Sequence, residues 1–181
     1  MANIFLVSDT HFGHIGMCKF MRADGVTKLR PWVDADEMDE AMVERWNARV
    51  GPTDKVYHLG DVVIQRKSLD IMSRLNGNKV LIKGNHDIFD LKDYTAHFRD
   101  IRGYHVLNGM IMSHVPVHPD GLYRFGANIH GHLHANRVMK DGAIDPNYFN
   151  VSVEHHDYGP VALEEVYTQI RAQGGTVGFK F

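Results

Sequence analysis

The chain has 181 residues, 44% hydrophobic and 23% charged, which suits one compact domain over residues 1–181 without low-complexity stretch, charge block or linker. Twenty basic against 22 acidic side chains leave a formal charge of −2, so no global field argues for a nucleic-acid or membrane surface. Cys18 stands alone, which excludes a disulfide framework and a thiolate zinc site within one chain, while 13 histidines exceed what folding requires.

Along the chain, the apolar run Ile4–Val7 is too short for a signal peptide and reads as a buried strand that delivers Asp9, Thr10 and His11 to its C-terminal edge. No segment approaches the roughly 18 apolar residues of a membrane helix, so a cytoplasmic protein is expected. Residues 12–31 lack periodicity and carry Lys19, Arg22, Lys28 and Arg30 against Asp24, an exposed basic loop. Asp34 or Asp36 caps a helix with Met38, Ala41, Met42 and Trp46 at helical spacing, stopped by Gly51-Pro52. Residues 56–59 form a second strand running into Gly60-Asp61. Ser68 then caps a short amphipathic helix with Leu69, Met72 and Leu75 inward, ended by Gly77.

Residues 79–82 form a third strand followed by Gly84-Asn85-His86-Asp87, and a helix is expected near 90–98. Residues 105–113 read as a strand ending at His114, and 128–130 as one leading into Gly131-His132-Leu133-His134. A strand at 149–153 and a helix at 161–173 complete an α/β alternation. Several strands thus end in Asp, His or Asn, donors that suit Mn²⁺, Fe or Zn²⁺. On an extended strand end, residues i and i+2 share a side, so Asp9 with His11, and His132 with His134, can each converge. Asp61 can bridge two cations, and Asn85 offers a neutral oxygen. Two divalent ions against Asp9, Asp61 and one hydroxide leave the site positive, which favours a phosphate.

These residues resemble the calcineurin-like metallophosphoesterases, whose signature D-x-H, G-D, G-N-H-[DE], H and G-H-x-H stands here as Asp9-Thr10-His11, Gly60-Asp61, Gly84-Asn85-His86-Asp87, His114 and Gly131-His132-Leu133-His134. The resemblance covers residues 9–134 and implies an α/β/β/α sandwich, two mixed β-sheets flanked by helices, with a dinuclear metal site at the strand ends. It implies Asp9, His11, Asp61 and His134 around one ion, and Asp61, Asn85, His114 and His132 around the other, Mn²⁺ first, with Fe, Zn²⁺ or Ni²⁺ as alternatives. It also implies that His86, paired with Asp87, faces the substrate. Gly60-Asp61 continues as Val62-Val63-Ile64, without the Asp-Arg-Gly of the phosphoprotein phosphatase branch, so the chain is more similar to small bacterial and phage-type members.

The expected reaction is hydrolysis of a phosphate ester by a metal-bridging hydroxide, with His86 as acid toward the leaving oxygen and Asp87 orienting its ring. The expected partner is a small or nucleotide-like ester or single-stranded nucleic acid. A nuclease of the same superfamily is the near alternative, and a non-catalytic scaffold the alternative from another class. Arg22, Arg30 and His14 are candidate substrate contacts, the basic loop being read either as an electrostatic lip or as a solvated face. His58, His97, His105 and His118 are read as packed or surface histidines. His130, two residues before His132, is expected near the site, while His155 and His156 are read either as lining the cleft or as solvent-exposed, none with an assigned role.

Overall fold

The computed structural model describes residues 2–180. Its first half contains β1 (Ile4–Val7), α1 (Ala35–Arg49), β2 (Lys55–His58), β3 (Asn78–Ile82), α2 (Leu91–Thr95) and β4 (Asp100–Arg102). The second half contains β5 (His105–Leu107), β6 (Met110–Met112), β7 (Asn128–His130), β8 (Met139–Lys140), β9 (Ala143–Ile144), β10 (Tyr148–Asn150), β11 (Val161–Ala162) and α3 (Leu163–Ala172).

One sheet runs β11-β1-β2-β3-β4, parallel except for β11 against β1. Val7 lies beside His58, and His58 beside Leu81, so the turns after β1, β2 and β3 leave from one edge. The strands form because both faces are buried, as parallel strands require. Phe5, Val7, Val56 and Leu81 pack toward α1, while Leu6, Tyr57, Val80 and Ile82 pack toward the second sheet.

On the helical side, Asp34 caps α1 by accepting the Glu37 amide at 2.9 Å, and Met38, Met42, Val43 and Trp46 are buried. Residues 66–74 differ from expectation: they form a 3-10 helix after Gln65, with Ser68 inside and capping nothing. Leu69, Met72 and Leu75 recur at three residues, the 3-10 period, which puts all three on one line toward the core.

The second sheet runs β10-β7-β6-β5. Its Met110, Met112, Ile129 and Phe149 join Leu6, Tyr57, Val80 and Ile82 in one apolar layer. The single strand expected over 105–113 is a hairpin, β5 and β6 folding back at Asn108-Gly109, whose φ values are 49° and 76°. Helix α3 adds Leu163, Val166, Tyr167 and Ile170 to the inter-sheet layer, beside β11, β1 and β10. Among the described residues no α-helix covers the outer face of the second sheet, where the resemblance implies one; α3 packs beside β11, β1 and β10. Instead, the segment after His114 covers the outer face of the second sheet. There the Val117 amide donates to Asn128 Oδ1 at 3.0 Å, and the Tyr148 hydroxyl donates to the Val117 carbonyl at 2.7 Å. No helix among the described residues is long and apolar enough to cross a membrane.

Candidate metal centre

The turns that leave the strand ends are not extended. Asp9, His11, Asp61, His132 and His134 have φ of 59°, 48°, 57°, 68° and 48°, a left-handed conformation that costs L-residues about 1–2 kcal/mol each. The pairing of i and i+2 on an extended strand is therefore corrected: Asp9 and His11 converge through left-handed turns, whereas His132 and His134 part, one to each of two donor groups. The surroundings hold these turns in place. The Asp9 amide donates to the Gly60 carbonyl at 3.0 Å, the His11 amide to the Asp61 carbonyl at 3.0 Å, and the Gly131 amide to the His114 carbonyl at 2.9 Å. Strain of this kind gathers where side chains must be aimed.

Two glycines allow the turns to approach. A Cβ on Gly84 would sit 2.2 Å from Asp61 Oδ1, and one on Gly131 would sit 1.9 Å from Ser8 Oγ. The motif glycines thus make room for the carboxylates beside them.

Two donor groups result, Asp9 with His11 and His134, and Asp61 with His114 and His132, the donor atoms of each lying within 4.8 Å of one another. Asp61 Oδ2 stands between them, 3.6 Å from His11 Nε2 and 3.3 Å from His114 Nε2. Asp9 Oδ1 is 4.0 Å from both His11 Nε2 and His134 Nε2, and Asn85 Oδ1 is 3.0 Å from His114 Nε2. Donors bound to one ion at about 2.0–2.2 Å stand roughly 3–4 Å apart, so these separations suit metal ligation. Asp9 Oδ1 and His11 Nε2 are buried without any hydrogen-bond partner. Burying such atoms unpaired is costly, and a cation would satisfy both.

Neighbouring groups aim these donors. Asp9 Oδ2 accepts from Ser152 Oγ at 2.8 Å and from the His132 amide at 2.9 Å, leaving Oδ1 free. His114 Nδ1 donates to the Leu59 carbonyl at 2.7 Å, which directs Nε2 inward. His134 Nδ1 lies 3.2 Å from Glu154 Oε1, the carboxylate–histidine arrangement that fixes a ligating ring. Burial opposes ionisation of Glu154, but Arg30 and His134 outweigh it and bring its carboxyl down to about 2. Burial likewise opposes ionisation of Asp61, and His114, the His86 amide and His11 hold it down to about 2.

Two expected roles change. Arg30 is no lip: it is fully buried, its guanidinium donating to Glu154 at 2.7 Å, to the Thr10 carbonyl at 2.7 Å and to the Asp9 carbonyl at 2.5 Å. Substrate cannot reach it, because these acceptors take its donors. Asp87 does not hold His86. Its buried carboxylate accepts from the amides of Asp61, Val62 and Gly84 at 2.9, 3.0 and 2.7 Å, tying the second turn to the third. His86 is exposed, its amide donating to Asp61 Oδ1 at 2.9 Å and its ring centroid 5.5 Å from that of His11. His14 sits with its ring centroid 5.7 Å from that of His11, and half-buried Arg22 lines a groove with His132 and His134. Glu154 and Ser152 were not anticipated, since a carboxylate in a 3-10 turn and a hydroxyl just after β10 have no spacing signature.

No model of a known protein family matches the chain. It is 36% identical over 173 residues to an uncharacterized protein of Methanocaldococcus jannaschii, covering 91% of this chain and 89% of that one. The chain belongs to that archaeal protein's family. It is also 26% identical over 202 residues to the gene 66 protein of Mycobacterium phage D29, covering 89% of this chain and 93% of the phage protein. In fold, this family member is similar to a protein of unknown function from Aquifex aeolicus, with a TM-score of 0.68 at 24% identity over 93% of this chain and all (100%) of the other. A structure of an archaeal phosphodiesterase aligns over 82% of each chain at 18% identity with a TM-score of 0.46, a likeness too remote to bear on function.

Proposed function

We propose that the protein is a metal-dependent phosphoesterase of the calcineurin-like type, acting on a small or nucleotide-like phosphate ester. The observation that carries the reading is the meeting of the two donor groups at Asp61 Oδ2, beside buried and unpaired Asp9 Oδ1 and His11 Nε2. Asp9, His11, Asp61 and His134 would hold one divalent ion, and Asp61, Asn85, His114 and His132 a second, with Mn²⁺ the first candidate. Such ions supply Lewis acidity toward a phosphoryl oxygen and a water of lowered pKa. Left-handed turns and buried hydrogen bonds fix the ligands in advance, so little reorganisation accompanies binding. His86, exposed beside His11, would give its proton to the leaving oxygen.

Hydrolysis of a chromogenic phosphodiester with added Mn²⁺ tests the reading, with elemental analysis alongside. About two equivalents of metal and turnover are expected. Asp61→Asn should lose turnover and at least one equivalent, since an amide has one carbonyl oxygen and no charge with which to bridge. Full turnover by Asp61→Asn would overturn the shared-carboxylate site.

A further inference from the structure

The loop expected to be irregular is a pinned ribbon. Met21 pairs antiparallel with Lys28, the Arg22 amide donates to the Thr27 carbonyl at 2.7 Å, and the Leu29 amide donates to the Phe20 carbonyl at 2.8 Å. The Asp24 carboxylate closes the tip by accepting from the Val26 and Thr27 amides and the Thr27 hydroxyl. This ribbon holds Phe20 51% exposed and Met21 49% exposed, large apolar side chains whose area the fold leaves in water.

Both side chains face a groove of about 490 Å³, the size of a small-molecule site. Leu133 and Asn136 form its other wall, and His132 and His134 of the candidate metal centre line it as well. The groove is therefore continuous with the place where a phosphate would bind. Besides His132 and His134, its polar lining is Arg22, Asp24, whose carboxylate is taken up by the ribbon tip, and the exposed Asn136.

We infer that this groove is a subsite for the organic part of the ester, and that it takes a planar heterocycle of nucleobase size between Phe20, Met21 and Leu133. The inference rests on the phosphoesterase reading and adds the substrate class. A flat ring can use the apolar walls through its face and reach the exposed Asn136 amide through its edge. An acyl chain would cover the walls and make no use of the Asn136 amide. A run of further phosphates would meet the Asp24 carboxylate on the ribbon.

Two diesters with one leaving group separate the ideas: thymidine 5′-(p-nitrophenyl phosphate) and methyl p-nitrophenyl phosphate, both given to the Mn²⁺-loaded protein. KM for the thymidine ester should be about ten-fold lower, the order of one stacked base, and Phe20→Ala with Met21→Ala should bring the two KM values together. Equal KM values in the unaltered protein, or a ratio that survives the double substitution, overturn the subsite and leave the hydrolase reading intact. Hydrolysis of neither ester overturns the hydrolase reading instead. Occupancy is read without turnover from the Met21 methyl NMR signal during titration with thymidine 5′-phosphate. A saturable shift supports the subsite, and no shift overturns it.

Discussion

Arg30 and Glu154 meet at 2.7 Å with neither side chain exposed, and their partners are the backbone of Asp9-Thr10 and the ring of His134. Glu154→Gln keeps the shape and removes the charge, which leaves Arg30 buried without an anion. A loss of about 3–5 kcal/mol in stability is expected from breaking such a pair. Because the same carboxylate orients His134, Mn²⁺ affinity should also fall about 10–100-fold. Urea unfolding and metal titration read the two effects, and unchanged affinity would show that His134 needs no orienting partner. Asp87 and His86 part company in the same way. Asp87→Asn loses charged acceptance from backbone amides and should cost stability, whereas His86→Ala should keep fold and metal. On esters with poor leaving groups, His86→Ala should lower the rate about 100 to 10,000-fold, and less on nitrophenyl esters, which need little protonation. Equal slowing of both ester types would make His86 a phosphate-binding group.

At the scale of elements, Ile4–Val7, α1 and the strand before His132 were legible because burial and helical period write themselves into apolar spacing. The hairpin at Asn108-Gly109 was also written there, since Asn-Gly accommodates two positive φ angles, but the apolar residues flanking it read as one strand. β4, β8 and β9, of two or three residues each, are too short to carry a period and were missed. Within the site, the motif residues were legible as donor types in order. Their left-handed turns, and the burial of Arg30 among three oxygen acceptors, depend on contacts between distant segments that spacing does not record. The turns yield their own prediction. Gly131→Ala would set a Cβ 2.4 Å from Asp9 Oδ2 and 1.9 and 2.6 Å from Oγ and Cβ of buried Ser8. It should displace Asp9 and lose metal binding, seen by calorimetric titration, while metal binding like that of the unaltered protein would show that the turn can shift.

Across the whole molecule, the layer between α1 and the first sheet contains an ionisable group with no room for charge. His58 is completely buried, its ring centroid 6.4 Å from that of Trp46 and 6.3 Å from that of Phe98. The Thr10 hydroxyl donates to the Val62 carbonyl at 2.9 Å, so it accepts from His58 Nε2 at 2.9 Å, and Nδ1 is left unprotonated without a partner. Burial lowers the His58 pKa from 6.5 to about 3, Asp61 pulling it up and His114 pushing it further down. The unfolded chain therefore binds a proton between about pH 6.5 and 3 that the folded chain refuses, so stability rises with pH through that window and is lost as pH falls. From pH 8 to pH 5 the loss from this one ring is about 2 kcal/mol. His58→Phe removes the titration and keeps an aromatic ring between Trp46 and Phe98. Whatever it does to stability at pH 8, the drop between pH 8 and pH 5 should shrink by about that amount. Urea midpoints of both proteins in excess chelator, which removes metal binding from both and leaves the remaining titrations common to them, provide the measurement. Parallel pH curves for the two proteins would mean that His58 gains its proton without opening the core.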